Sequence, residues 1–506
     1  MSIPRDPDPL ATGDEPADHD RELAEEVDLL RSADVGLRVV RGGALRGIGY
    51  ITGLLLVAGG SVLLLRYLSV ADFGRYVTVM ALIGIVTGIS DAGLTTIGAR
   101  ELSIAPETER PDLMAHLLSL RLVLTPIGVA GATLFAVIAG YDHTMVYGTI
   151  LAGIGLVFVT AQATLMLPLA VDLSYVRLTA AELIKQTVTV AGMGLLVLAG
   201  ASLLPFFTLQ IVVGLVVLAS TPLIVGKHWW HRPRADRGRL WMLVREALPM
   251  ATALALNVIY YRTLVIIASL IASAVETGYV ATSFRIFEIL FGVPAIVMQA
   301  ALPVLSAAAE DGGQRMRYVL QRMTEVGLAA SACLAVLIVF LARPVIDVLG
   351  GHAYLGAASV LRIQGFSLIG LFLGQAWQLG LVSIRHQRDV AVANAVALVA
   401  VIGLGLGLIP WLGADGAGAA AVAAETLLAS LLFVMLRRRG MAPELGFAWK
   451  VLLASLLALA PLLVPGLPQA VGAVIAALLF AGTVWVTKLL PPEVIDAFGL
   501  RRLLRA

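Results

Sequence analysis

The chain is constrained most by a succession of apolar segments, each close to the length of a bilayer's hydrocarbon core. A window of about 19 residues on a transfer scale finds such segments. It gives fourteen: 44–67, 76–98, 113–139, 145–171, 178–200, 204–225, 242–270, 275–305, 318–342, 355–383, 389–410, 415–436, 449–465 and 469–488. A helix needs about 20 apolar residues to span a bilayer, and only the thirteenth segment is marginal by that measure. Hydrophobic residues make up 59% of the chain and charged residues only 14%, with a mean hydropathy of +0.91. A soluble domain carries about 25% charged residues. No soluble core of this length hides so much apolar surface, so the fold expected is an all-α integral membrane protein with about 14 transmembrane helices.

Arginine and lysine placement sets the expected orientation. With the N-terminus in the cytoplasm, the even-numbered connections carry most of the basic residues, among them Arg100, Arg110, Arg177, Lys227, Arg232, Arg315, Arg385 and Arg437. The odd-numbered ones carry only Arg66, Arg75 and Arg343. The expected location is the cell's inner, cytoplasmic membrane, crossed many times, with both termini in the cytoplasm. The longest connection, "GKHWWHRPRADRGR" (226–239), is basic and falls near the middle of the first twelve segments. An internal echo agrees with two halves. "LSVADFGRYVTVMALIG" (68–84) and "IASAVETGYVATSFRIF" (271–287) each hold an acid, then Gly, then Tyr before a long apolar run, at an offset of about 203 residues. Both joints fall on the outer side, so the repeat is parallel. The expected divisions are an acidic N-terminus (1–40), a first lobe of six helices (41–226), a basic linker (227–240), a second lobe of six (241–440), two further helices (441–490) and a cytoplasmic tail (491–506). The stretch "DPDPLATGDEPADHD" reads as disordered, and nothing in the first forty residues resembles a cleavable signal. The single cysteine, Cys333, reads as a small core residue.

Catalytic signatures are missing. The four lysines, Lys185, Lys227, Lys450 and Lys488, fit no phosphate-binding loop. No histidine stands at metal-ligand spacing from Cys or Glu. The expectation is a protein that is not an enzyme, with no cofactor, no metal and no nucleic-acid partner.

The informative residues are the charges at membrane depth: Arg121, Lys185, Arg262, Arg285 and Arg362, with Asp91, Glu182, Glu288 and Glu425. Such groups usually face a bundle interior or a wet cavity and mark a substrate or ion path. Glu182 with Lys185, and Arg285 with Glu288, have the spacing to pair along one helix. In "LNVIYYRTLVIIASLI" (256–271), Arg262 has no acid at positions 258, 259, 265 or 266. Arg285 reaches a similar depth on the next segment, and Arg362 enters the tenth from the same face. Three arginines at one depth repel unless an anion or acids join them. A guanidinium holds its charge at any physiological pH and binds phosphate oxygens in a fork. The expected site is therefore a cationic cavity for a phosphate or pyrophosphate group, formed by Arg262, Arg285, Arg362 and Arg121. Gln375 and Gln378, beside Trp377, are candidates for sugar contacts. Asp91, Glu288 and Glu425 are candidates for ion coupling or gating.

Two stretches carry a family resemblance. "RYLSVADFGRYVTVMALIGIVTGISDAGLTTIGARE" (66–101) resembles the opening hairpin of polysaccharide (Wzx-like) flippases, with its L-x-x-x-x-F-G-x-Y turn and D-x-G-L ending. "GYVATSFRIFEILFGVPAIVMQAALPVLS" (278–306) resembles the eighth helix of those flippases and of the related lipid II flippases. The resemblance implies the multidrug/oligosaccharidyl-lipid/polysaccharide exporter fold, in which two six-helix lobes surround a central cationic cavity and the last two helices are additions. It also implies a polyprenyl-pyrophosphate-linked glycan as substrate. Further partners implied are membrane lipid, a proton or sodium ion for coupling, and glycosyltransferases or a polymerase of the same pathway. The family's arginines map onto Arg262 and Arg285. Many relatives follow the first with a hydrophobic residue and an aspartate; here Thr263 and Leu264 follow, which removes that acid. The rival expectations are a multidrug/cation antiporter of the same superfamily, which needs acids to dominate the cavity, and a membrane-bound polymerase or ligase, which needs a sizeable outer loop.

Overall fold

The computed structural model describes residues 49, 52–91, 93–172, 174–226, 233–234, 236–290, 305 and 313–487. The N-terminus, half of the basic linker, most of 291–312 with its P-x-L-S motif, and the C-terminal tail lie outside them. Among the described residues all regular structure is helical. In hydrocarbon, each backbone N–H and C=O must be paired within its own segment, and long apolar runs meet that demand as helices.

The first half holds α1 (Thr52–Tyr67), α2 (Val70–Asp91), α3 (Leu94–Ile104), α4 (Arg110–Ile138), α5 (His143–Leu165), α6 (Leu167–Val171), α7 (Tyr175–Leu198) and α8 (Leu203–Val225). The second holds α9 (Arg237–Ile271), α10 (274–290), α11 (Gln314–Gly350), α12 (Ala357–Gly365), α13 (Ser367–Ser383), α14 (Gln387–Leu412) and α15 (Ala414–Arg438). Two more follow, α16 (Ala448–Ala458) and α17 (Gln469–Val486). Nine helical spans among the described residues are long and apolar enough to cross a membrane, counting α2 with α3 as one; the α12–α13 pair, bent by 40°, makes ten. This is a multi-pass membrane protein. Three sequence segments break inside. The second breaks at Gly93, whose φ of +71° suits glycine. The fourth breaks at Met166, and Pro168 stands in the first turn of α6. The tenth bends between Gly365 and Ser367.

Helices α2, α4, α5, α7 and α8 pack as one group and α11 to α15 as another, with α9 packed between α2 and α14. α16 and α17 lie against α11 through small residues, Ala332, Ala454, Ala458, Ala473 and Ala476, which let the helices approach closely.

The internal echo has a structural counterpart. Each hairpin joint is built as a capping turn. Asp72 N donates to Ser69 Oγ at 3.1 Å, and Glu276 N to Ser273 Oγ at 3.2 Å, while Ser273 N donates back to Glu276 Oε2 at 3.1 Å. The two hairpins cross at their glycines. A Cβ on Gly278 would stand 2.1 Å from the Val70 carbonyl oxygen, and one on Gly74 would stand 2.8 Å from the Gly278 nitrogen. At this turn end of the bundle Tyr354 Oη also donates to Leu68 O at 2.9 Å, and Tyr141 Oη meets Ser269 Oγ at 2.6 Å. At the opposite, linker end, Leu240 and Val244 of α9 pack on Leu94, Ile97, Leu113 and Leu117, and Arg234 Nη1 donates to Asp112 Oδ1 at 2.8 Å. α9 therefore touches both halves.

Because the Gly278 contact is with backbone, a larger residue cannot be accommodated by a rotamer change. Gly278→Val should lower the stability of the detergent-purified protein by about 1–3 kcal/mol, the usual cost of overpacking. Thermal unfolding checks this, and an unchanged midpoint would remove the crossing as a structural element.

Candidate functional site

α9 and α10 are antiparallel neighbours joined by a short turn, and this brings their charged residues to one level. Arg262 Nη1 donates to Glu288 Oε1 at 2.5 Å, and Arg285 Nη1 donates to Glu288 Oε2 at 3.0 Å. Arg285 Nε also reaches Ser61 Oγ on α1, at 2.9 Å. One carboxylate thus holds two guanidiniums, and the trio keeps one net positive charge. The side chains of Arg262, Glu288 and Arg285 are 31%, 35% and 35% exposed, so they border open space. Two attractions outweigh one repulsion. With a third of each group exposed, each link is worth nearer 1 kcal/mol than the about 4 kcal/mol of a pair 4 Å apart at an effective dielectric of 20.

Two hollows meet at this trio. One, of about 250 Å³, lies between α9, α10, the α12–α13 bend, α14 and α15, and is lined by Asn257, Tyr260, Tyr261, Phe284, Gln364 and Glu425 among others. The second, of about 110 Å³, faces the first half and is lined by Ser61, Tyr76, Gln186 and Met193. Tyr261, Arg262, Phe284 and Glu288 form walls of both. A third hollow, of about 390 Å³, runs between α1 and α7, and shares Val57 and Gln186 with the second. The series leads from the trio toward the α7 start, where Glu182 pairs with Lys185 at 2.7 Å.

The expected site residues divide. Arg262, Arg285 and Glu288 come together, and the acid missing from the turns of α9 around Arg262 is supplied across the hairpin by Glu288. Glu425 enters the first hollow and is 5% exposed, next to Tyr260. Three expectations are corrected. Arg362 does not join the other two arginines: on α12 it stands two residues, about 200° of helix rotation, from Gln364, which borders the first hollow, so it lies on the opposite face, where its Nε donates to Val339 O at 3.1 Å. Arg121, 4% exposed, is engaged with Asp91 and with Thr95 Oγ1 at 2.6 Å, away from both hollows; Asp91 is thereby a structural partner at the end of α2. Gln375 and Gln378 border neither hollow, and Trp377 is buried with its Nε1 donating to Thr324 Oγ1 at 3.1 Å. The polar residue that α12 does offer is Gln364, whose Oε1 accepts from Ser283 Oγ at 2.6 Å.

Sequence reasoning passed over the aromatic wall, Tyr260, Tyr261, Phe284 and Phe287. The two tyrosines directly precede Arg262, and the phenylalanines alternate with Arg285 and Glu288, so adjacency to the charges was the available signal. It also missed Gly84 on α2, where a Cβ would stand 3.3 Å from Arg262 Nε. That glycine makes room for the guanidinium between the halves.

A helical membrane protein whose two groups of helices enclose charged internal hollows has the build of a transporter. The chain belongs to the family described as polysaccharide biosynthesis protein, whose sequence model matches residues 63–359, more than half of the chain and including all three charges of the trio. No curated protein sequence matches it. Among solved structures it is similar to a lipid II flippase, MurJ, in an inward closed conformation, with a TM-score of 0.74 and 14% identity over 88% of this chain and 100% of that one. It is also similar to an inward-facing multidrug resistance MATE family transporter of the MOP superfamily, with a TM-score of 0.58 and 14% identity over 77% and 94% of the two chains. A MOP superfamily transporter from Pyrococcus furiosus, described as having a binding pocket of reversed polarity, gives a TM-score of 0.51 and 16% identity over 79% and 92%. The polysaccharide family read from the two hairpins is that of the protein, and the fold read from them is the one it shares with these structures.

If Glu288 is the shared partner, the three side chains are energetically coupled. Arg262→Ala, Glu288→Ala and the double variant, compared by denaturation in detergent, should give a coupling energy of about 1 kcal/mol, within the range of contacting residues. Additive effects would mean the bridge carries no energy.

Proposed function

We propose that this protein is a flippase that moves a polyprenyl-pyrophosphate-linked oligosaccharide across the cytoplasmic membrane by alternating access, supplying cell-surface polysaccharide synthesis. The observation that carries this reading is the trio. Two guanidiniums from adjacent helices converge between two hollows with one carboxylate between them, so a positive charge is left over. A diphosphate entering the second hollow would find Arg285 and Arg262 on one wall and could displace Glu288 from one of them. Uncharged polar and aromatic side chains nearby, Gln186, Asn257, Tyr260 and Gln364, suit a sugar. The family description and the fold shared with a lipid II flippase point the same way.

In this reading both termini and the basic linker are cytoplasmic, following the arginine asymmetry. The series of hollows between α1 and α7 then opens toward the cytoplasmic side, where a lipid-linked precursor is made. Glu288 and Glu425 remain the candidates for coupling to a proton or sodium ion, and glycosyltransferases or a polymerase are the expected pathway partners. The protein acts as a carrier and forms or breaks no covalent bond.

A second reading has one specific observation behind it. The first hollow combines a buried carboxylate, Glu425, with Tyr260, Tyr261, Phe284 and Phe287, and aromatic walls with an acid suit an organic cation. This is the multidrug antiporter alternative, and the excess of guanidinium over carboxylate at the trio weighs against it.

In cells, Arg262→Ala and Arg285→Ala should each reduce the glycan delivered to the outer leaflet at least tenfold at unchanged protein abundance. A membrane-impermeant reagent that labels exposed glycan reads this out. Lysine at either position should recover only part of the activity, because the fork is lost. Export at the wild-type level by both alanine variants would remove the anion site. Loss of drug resistance, with glycan export intact, would establish the antiporter.

A further inference from the structure

The linker end of the bundle is charged unevenly. In the first half its described charges are mixed. Arg100 pairs with Glu101 at 2.8 Å, and Asp112 takes Arg234. Glu107 and Glu109 precede Arg110 in the α3–α4 connection, and Asp172 precedes Arg177 at the start of α7. In the second half the same end is almost purely basic. Arg315 and Arg317 stand in the first turn of α11, and Arg385 and Arg388 lie where α13 turns into α14. Arg437 and Arg438 end α15, and Arg439 follows it. All of these second-half arginines are exposed.

The three elements that carry them converge. Leu305 and Met316 form an apolar cluster with Ile384, and a Cβ on Gly313 would stand 3.1 Å from Met441 Cε. Arg439 Nη2 donates to Asp389 Oδ2 at 3.2 Å. Asp389 and Glu444 are the described acids beside this group, while Glu325 is taken by Arg322 at 2.6 Å. The face therefore keeps an excess of positive charge. The general preference for basic residues on one side of a membrane applies to both halves alike, so it leaves the difference between them unexplained.

The complement is in the same chain. Residues 14–28, "DEPADHDRELAEEVD", hold eight acids against the single Arg21. They precede α1, and Gly49 at its start lies against Thr179 near the start of α7, which is again the linker end. The 21 positions from Asp28 to Gly49 cover about 30 Å as a helix and about 70 Å when extended. From α1 to α15 there are three helix-to-helix steps. Ser61 of α1 meets Arg285 of α10, Ser283 of α10 meets Gln364 of α12, and α12 packs on α15. At 8–10 Å each, the steps come to about 30 Å. Either conformation of the intervening chain brings the acids to the arginines.

We propose that the acidic segment 14–28 docks on the arginine face formed by the start of α11, the α13–α14 turn and the end of α15. Charge complementarity selects this occupant, and tethering at the same end supplies it at a local concentration on the order of millimolar. α1 packs on α7 through Gly60, Val190 and Met193, so the docked segment ties the first half to the second across the linker end. The inference does not rest on the flippase reading. It also holds whichever side of the membrane the linker end faces, because segment and face share that end.

Double electron–electron resonance on the full-length protein in phosphatidylcholine nanodiscs tests this. Nitroxides are attached at Ala24→Cys and Gln387→Cys in a Cys333→Ser background, Gln387 being exposed on the face. With the native charges, the distance distribution should peak at or below about 30 Å. Arg437→Glu, Arg438→Glu and Arg439→Glu together should reduce the population of that peak at least about threefold, as should about 1 M salt, where the Debye length is about 3 Å. Arg100→Glu, in the first half, should leave it unchanged. Glu22→Gln, Glu25→Gln and Glu26→Gln together should act as the arginine variant does, and serve if that variant fails to fold. One and the same distribution in the native-charge protein and both triple variants would overturn the proposal. So would loss of the peak in nanodiscs containing phosphatidylglycerol, which would give the face to lipid phosphates. Loss on Arg234→Glu alone would place the segment on the basic linker and overturn it too.

Discussion

Two guanidiniums cannot share one level inside a membrane without an anion between them, and Glu288 is that anion. An arginine in hydrocarbon is unfavourable by at least about 2.5–3.5 kcal/mol unless it finds a partner or water. Glu288 gives one oxygen to Arg262 and the other to Arg285, and Ser61 takes a further donor of Arg285. These contacts tie α9 to α10 and α10 to α1. They also fix where the two hollows divide, because the same side chains form the partition. A carboxylate bonded to two cations is a replaceable partner. In the proposed reading, a diphosphate would offer more oxygens and more charge than Glu288 does, and the bridge would then be a placeholder for it.

The crossing of the hairpins and the linker-end contact are the other mechanical features. At the turn end the halves touch backbone to backbone at Gly74 and Gly278, with Tyr354 and Tyr141 adding hydrogen bonds across. At the linker end they touch through the apolar patch under Leu240 and Val244 and one ion pair, Arg234 with Asp112. The first contact is rigid and short-range. The second is side-chain packing with a partly exposed ion pair, of the kind that contributes little alone. The proposed cycle of alternating access would release these contacts in turn. α9, which takes part in both and carries Arg262, is the element through which the site would sense the change.

Much of this was legible in the residues. The apolar segments lie where the helices are, because backbone pairing in lipid leaves no other conformation for such runs. The echo between 68–84 and 271–287 corresponds to two capping turns that meet at their glycines. What could not be read was the rotation of each helix. Arg262, Arg285 and Arg362 look alike as isolated cations in apolar runs, yet the rotation of α12, which turns Gln364 to the hollow, puts the third on the opposite face. Likewise, Asp91 and Arg121 are 30 positions apart, and only the packing of α2 on α4 pairs them.

The chain by itself determined that it is a helical membrane protein, how its segments succeed one another, and which few charges it carries at depth. Those follow from length and polarity, which act residue by residue. Which charges meet, which face a hollow and which face lipid was decided only by the tertiary structure. Contact between helices depends on rotation, tilt and close approach, and these are set by small residues, bends and partners far away in the sequence.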